Sequence, residues 1–479
     1  MQNHSHEFDN LIGRALDDTQ LRQSLSLLRF GLSFTRSRAM AELPEFDQLR
    51  DQAVAIKNHT LNHLDFYLER LEQQVKAAGG EVCWAVDAAA ASQTILDLCR
   101  RHGVRNVTKG KSMMTEEIDL NARLEAAGIQ VKETDLGEYV LQLRDEAPSH
   151  IVGPAIHLTV DQVADTFHQH HRAHGFEART TEIPQMMREA RTVLRKHFLE
   201  ADMGITGANF LIAEQGSAMI VTNEGNGDLT AVLPRVHVVV AGIDKVVPTL
   251  EDASTLLRLL TRSATGQECA VYTTFFTGAK RSGDTDGPEA FYLVLVDNGR
   301  SQMLGSELKE MLRCIRCGAC MNHCPVYGEI GGQAYGSVYP GPMGAVLTPA
   351  LVGLERAHRL PNASTFCGKC EEVCPVRIPL PKLMRHWREQ GFERQLEPLS
   401  FRFGLSLWSW VARHPPLYRL LTSLSVKLLN RLGRRQGYLR RLPLGRGWLA
   451  WRDLPAPQQQ TFFASWEAKQ NRGRGASDV

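Results

Sequence analysis

Seven of the chain's ten cysteines fall between Cys314 and Cys374, in two short runs. The first is Cys314-x2-Cys317-x2-Cys320-x3-Cys324-Pro325 and the second is Cys367-x2-Cys370-x3-Cys374-Pro375. Thiols spaced in this way reach around one corner of a cubane, while the Cys-Pro step turns the chain away. In bacterial ferredoxin runs the fourth cysteine accordingly serves the partner cluster. That crossing assigns Cys314, Cys317, Cys320 and Cys374 to one cluster, and Cys324, Cys367 and Cys370 to the other.

The second set is one thiol short. A second run that mirrored the first would begin at position 364, where Ser364 stands. The expectation is two iron–sulfur clusters. One is 4Fe–4S; the other is 3Fe–4S, or 4Fe–4S with Ser364 or water as its fourth ligand. Zinc ribbons use two Cys-x2-Cys pairs, four ligands in all, which seven cysteines with two Cys-Pro endings fit poorly. The Cys-x3-Cys-x2-Cys spacing of radical-SAM chemistry is absent.

Clustered thiols of this kind point to metal in a reducing compartment rather than to disulfides. The start, MQNHSHEFDN, has no apolar core of a secretory signal, and no apolar run reaches the length of a membrane span. A cytoplasmic protein is expected. Its 479 residues suggest about three domains, and the net charge of +2 conceals an asymmetry. Residues 376–479 hold 19 Lys and Arg against 6 Asp and Glu, so a basic tail follows an acidic body.

Four pieces are expected: a helical region over 1–75, an α/β domain over 76–300, the two-cluster module over 301–385, and a basic, Trp-rich region over 386–479. Apolar residues three and four apart mark the first as helical. Next, EVCWAVD, VRNVTK and IQVKETD read as strands separated by helices, which is the rhythm of a mostly parallel sheet. The helix over TEEIDLNARLEAAG is given Thr115 as its N-cap, and NFLIAEQGSAMIVTN, RVHVVVAGID and AFYLVLVDN are further strands. SELKEMLR reads as a helix leading into the first cysteine run.

Three polar loops stand beside glycines. Lys109-Gly110-Lys111-Ser112 precedes a helix N-terminus and suits an anion. Asp135-Leu136-Gly137-Glu138 is followed by His150 and His157. Glu214 precedes Thr222-Asn223-Glu224-Gly225-Asn226-Gly227. Each alone reads as solvated charge or turn; together they would line the carboxyl ends of parallel strands, where such folds bind ligands. Lys109, Lys111, Glu224 and Asn226 are the candidate anion or substrate residues. His168, His170, His171 and His174 crowd one helical stretch without an HExxH pattern, and read as surface histidines.

KGKSMMTEEIDLN, ETDLGEYVLQL, PSHIVGPAIH, TNEGNGDLT, GIDKVVPTLED and GDTDGPEAFYLVLVDNGR, followed by the cysteine runs, resemble the lactate utilization protein B family over nearly the whole chain. The resemblance implies an α/β lactate-utilization domain akin to sugar-phosphate isomerases and CoA transferases, then an α-helical ferredoxin-like double-cluster module and a helical basic C-terminal region. It implies a cytoplasmic system oxidising L-lactate to pyruvate, with this chain as its iron–sulfur electron carrier. The implied partners are a Cys-rich iron–sulfur subunit and a small lactate-utilization-domain subunit. The family's cluster ligands carry over onto the same seven cysteines, in the same two sets.

The competing reading is a self-contained oxidoreductase that binds a small carboxylate in its α/β domain. No Gly-x-Gly-x-x-Gly fingerprint announces a dinucleotide, and lactate oxidation needs a two-electron acceptor that clusters alone do not provide. Nucleic-acid binding through Arg434, Arg435, Arg440 and Arg441 is disfavoured, since solvated charge is the common case. The apolar and basic tail is expected to dock on a partner or on the cluster module, in preference to a membrane.

Overall fold

The computed structural model describes residues 3–442, 445, 449 and 452–474. They divide into two compact units, with the boundary between Glu393 and Arg394.

Ten strands occupy the first unit: β1 (Glu81–Ala85), β2 (Asn106–Lys109), β3 (Gln130–Glu133), β4 (Met203–Thr206), β5 (Phe210–Ile212), β6 (Ser217–Thr222), β7 (Val236–Gly242), β8 (Val246–Val247), β9 (Tyr272–Phe276) and β10 (Ala290–Val296). Six of them pair in parallel, in the order β1-β10-β7-β4-β2-β3. The β10–β7 pair sets Val240 opposite Val294. Both strands are buried almost throughout, because helices cover both faces and the apolar run is continuous instead of alternating.

One face packs Ile95, Leu98 and Leu124 against Val107, Val238 and Val294. The other packs Leu64, Leu68, Leu71 and Val75 against Val239, Leu293 and Leu295. Helix Leu64–Ala77 is therefore one layer of the α/β sandwich, and truncating the fully buried Leu71 to Ala would cost about 2–5 kcal/mol. Strands β8-β5-β6-β9 form a second, mixed sheet.

Three local expectations are corrected. The helix expected from Thr115 is two helices, Met113–Glu117 and Leu120–Ala126. Ser112 is the cap, accepting from the Thr115 amide at 3.3 Å, and Asp119 breaks the run with φ of +57°, a conformation that short Asp side chains tolerate. The helix expected at SELKEMLR is only a 3-10 turn over Lys309–Arg313. His171 is not a surface residue: it is buried against Phe167 and hydrogen-bonds the Tyr139 hydroxyl at 3.0 Å.

The cysteine runs fold as a repeat. Arg316-Cys317-Gly318 and Phe366-Cys367-Gly368 share positive φ at their first and third residues. Each then opens a one-turn helix, Ala319–Asn322 or Lys369–Glu372. Cys314 and Ser364 hold matching places two residues before Arg316 and Phe366. The N-terminal helices reach this module: Arg36 donates to the Val373 carbonyl at 2.8 Å. Arg50 donates to the carbonyls of Glu372 at 2.8 Å and Cys374 at 2.9 Å.

The second unit holds helices Leu399–Ala412, Pro415–Gly433 and Phe462–Arg474. Proline at position 415 starts the second helix, where its missing amide costs nothing. Phe403, Trp408 and Trp410 are exposed. No helix among the described residues is long and apolar enough to cross a membrane.

Candidate functional site

Four thiols, Cys314, Cys317, Cys320 and Cys374, line one small cavity, whose remaining wall includes Ile315, Met343 and Ile378. Burial pushes the Cys317 thiol up to about 12, and burial also raises Cys374 to about 11. Thiols so placed give up their protons when a metal supplies the compensating charge. The Ile378 amide points at Cys374 Sγ from 3.4 Å.

Cys324, Cys367 and Cys370 line a second small cavity together with Ser364. Here Cys367 is exposed whereas Cys370 is buried, so this cavity lies nearer the solvent. The Tyr327 amide approaches Cys324 Sγ at 3.5 Å. Arg388 holds the loop between the runs, stacking 4.2 Å over Phe366 and donating to the Ser364 carbonyl at 2.8 Å. Soft donors, shaped cavities and amides aimed at sulfur suit iron–sulfur groups in both places.

A larger cavity of about 290 Å³ opens at the carboxyl ends of the parallel strands. It lies where β2 and β4 diverge, one leading on to β3 and the other beginning the opposite half of the sheet. Such a switch point leaves a crevice between strand ends. Lys111, Glu224 and Asn226 all line it, as does Asp135. Lys111 Nζ donates to the Val152 carbonyl at 2.6 Å and lies 3.9 Å from Asp135. The Glu224 carboxyl is raised by burial, with the Asp135 charge adding to the effect.

Lys109 does not reach the cavity. It is fully buried, with its ammonium 2.5 Å from Glu116, 2.8 Å from Glu133 and 3.0 Å from the Thr115 hydroxyl. Its charge offsets an acidic cluster that includes Glu138, whose carboxyl burial holds well above its usual range. Of the other loop residues, His150 Nε2 pairs with Asn322 at 2.8 Å, and His157 pairs with Glu146 at 3.1 Å. Glu214 takes no part in the lining.

Other residues complete the cavity. Arg316, which with Ile315 separates Cys314 from Cys317 in the sequence, lines both this cavity and the first cysteine cavity. Behind it runs a buried ion network. Arg300 forks Glu117 at 2.8 and 2.9 Å and meets Asp244 at 2.7 Å. Tyr339 donates to Glu117 at 2.6 Å, and Lys57 donates to the Asp244 carbonyl at 2.6 Å. Removing one member of such a buried pair costs about 3–5 kcal/mol. Gly242 makes room for it: a Cβ there would stand 2.4 Å from Asp244 Oδ1. Burial lowers the Lys245 ammonium to about 8, and Arg316 pushes in the same direction.

An α/β domain joined to two thiol-lined cavities defines a protein of the iron–sulfur class. Residues 68–296 match the LUD domain family, and residues 310–378 match the 4Fe-4S dicluster domain. The chain is 43% identical to lactate utilization protein B of Shouchella clausii, over 97% of this chain and 98% of that one. It is 41% identical to lactate utilization protein B of Bacillus velezensis, over 98% of each. The chain belongs to the lactate utilization protein B family.

Proposed function

We propose that this protein is the iron–sulfur electron-transfer subunit of a cytoplasmic multi-protein system that oxidises L-lactate to pyruvate. Cys314, Cys317, Cys320 and Cys374 are the ligands of a 4Fe–4S cluster; Cys324, Cys367 and Cys370 hold a second cluster, 4Fe–4S or 3Fe–4S. Such groups pass one electron at a time, while lactate oxidation releases two. The placement of the cysteines supports the reading best: one thiol set, with Cys317 and Cys374 buried, shares Arg316 with the large cavity, and the other reaches the surface at Cys367. The chain's own residues thus line a path from interior to solvent edge. Companion subunits, one Cys-rich and one a small lactate-utilization domain, supply the two-electron acceptor that this chain's fold does not announce. The clustered thiols suit the reducing cytoplasm.

The test is lactate-dependent dye reduction by anaerobically purified protein, with and without its companions. Turnover only in the complete mixture, lost with Cys317→Ser, is the expected result. Turnover by this chain alone would replace the proposal with the self-contained oxidoreductase.

A further inference from the structure

The ion network behind the large cavity carries more positive than negative charge. Arg316, Arg300, Lys57 and Lys245 stand against Asp244 and Glu117. Arg300 forks Glu117, which Tyr339 and Asn298 also reach, and meets Asp244 Oδ1 at 2.7 Å, while Asp244 Oδ2 accepts no hydrogen bond among the described residues. Arg316, whose side chain is only 9% exposed, lies over the Tyr339 ring at 5.1 Å and forms an ion pair with Asp244 at 3.8 Å, too long for a hydrogen bond, and its Nη1 has no hydrogen-bond partner among the described residues. The Lys245 ammonium makes no hydrogen bond or ion pair with any described residue. A buried guanidinium nitrogen without a hydrogen-bond partner is expensive, and Arg316 and the half-buried Lys245 both line the cavity.

We propose that this cavity binds a small monocarboxylate bearing a 2-hydroxy or 2-oxo group, with Arg316 and Lys245 receiving the carboxylate. A guanidinium fork matches a carboxylate in plane and spacing. Asp135 and Glu224 elsewhere on the lining disfavour a second negative charge and offer acceptors to a hydroxyl. They select a monoanion over inorganic phosphate or a dicarboxylate. The volume, about 290 Å³, is at the small end for ligand sites. Arg316 also borders the first cysteine cavity, where an anionic group would draw on its charge. Lys245 borders only the large one, although the Cys314 thiol is near enough to act on its charge, so iron content is read beside the affinity of its variants. The choice of acid rests on the proposed function; the site itself rests on the unpartnered Arg316 Nη1 and on the Lys245 ammonium at the lining.

Calorimetric titration of the full-length, cluster-loaded protein with L-lactate and with pyruvate, without companions, tests this directly. Saturable binding is expected for at least one acid, weakened at least tenfold by Lys245→Gln and by Arg316→Gln, and largely restored by Lys245→Arg. Iron content and the thermal midpoint identify any variant that has merely misfolded, and the Lys245 pair then decides. Absence of saturable binding, unchanged affinity in Lys245→Gln, or phosphate binding as tightly as either acid would overturn the assignment. A failure here leaves the electron-transfer test untouched, since that test measures turnover with companions and not binding to this chain.

Discussion

Arg50 offers a measurement of how the N-terminal helices act on the cluster module. Its guanidinium spans the carbonyls of Glu372 and Cys374 and is also 2.8 Å from Asp47. A unit charge about 7 Å from a redox group, at an effective dielectric of about 20, is worth about 2.4 kcal/mol. For a one-electron couple this is about 100 mV. Reduction adds negative charge, so the nearby cation favours the reduced form and its removal lowers the potential. The exposed Asp47 carboxylate trims the effect, and about 50–100 mV is expected for Arg50→Gln at the cluster held by Cys374. Potentiometric titration followed by EPR of the cluster-loaded protein reads it. The cluster at Cys324, Cys367 and Cys370 should move by less than half as much, and Arg50→Lys should retain most of the wild-type potential. An unchanged potential, or equal shifts at both clusters, would refute either the placement of Cys374 or the electrostatic reasoning. The lost hydrogen bonds should also lower stability by about 1–3 kcal/mol, which a melting curve records separately.

Two further outcomes follow from the geometry. Ser364→Cys places a thiol at the position equivalent to Cys314; an oxidised three-iron EPR signal in air-exposed wild type should give way to a four-iron cluster of lower potential, and persistence of the three-iron signal would count against Ser364 as the ligand position. His237, buried between Phe276 and Phe291 and hydrogen-bonded to Thr206, is held down to about 3 by burial. Its ordinary value is about 6.5, so between these values the unfolded chain binds the extra proton; stability is intact above about pH 6.5 and lost as pH falls, by about 2 kcal/mol between pH 7 and pH 5. Denaturant titrations of wild type and His237→Leu check this, the variant losing that share of the slope.

The parts of the fold that could be read from sequence are those written locally. Continuous apolar runs such as VHVVVAG announce strands covered on both faces, and cysteine spacing is itself a local code. What escaped depends on distant neighbours. Lys109 looks like a free cation in Lys109-Gly110-Lys111 until Glu133 and Glu138, from a strand and a helix further on, close over it. His171 sits among polar histidines, yet its helix turns that one residue towards Phe167 and Tyr139. Arg36 and Arg50 meet carbonyls more than 300 residues away. Arg316 was hidden in plain view, as an unspecified position inside a motif defined by its cysteines. Strand β9, half-exposed along its length, lacks the apolar run that marked its neighbours.

Each thiol-lined cavity draws on both cysteine runs, and this imposes an order on biosynthesis. During translation Cys314, Cys317, Cys320 and Cys324 leave the ribosome first, but they belong to two different cavities. The first cavity has no fourth thiol until Cys374 emerges, and the second has a single cysteine until Cys367 and Cys370 follow. The helices bearing Arg36 and Arg50 are made long before, and wait for carbonyls at the far end of the module. Iron and sulfide delivered to a nascent chain would find only partial thiol sets, and both sets are complete only once residue 374 has been made. A nonsense codon anywhere in the 42-residue connection leaves both cavities incomplete, not one cavity filled and the other empty.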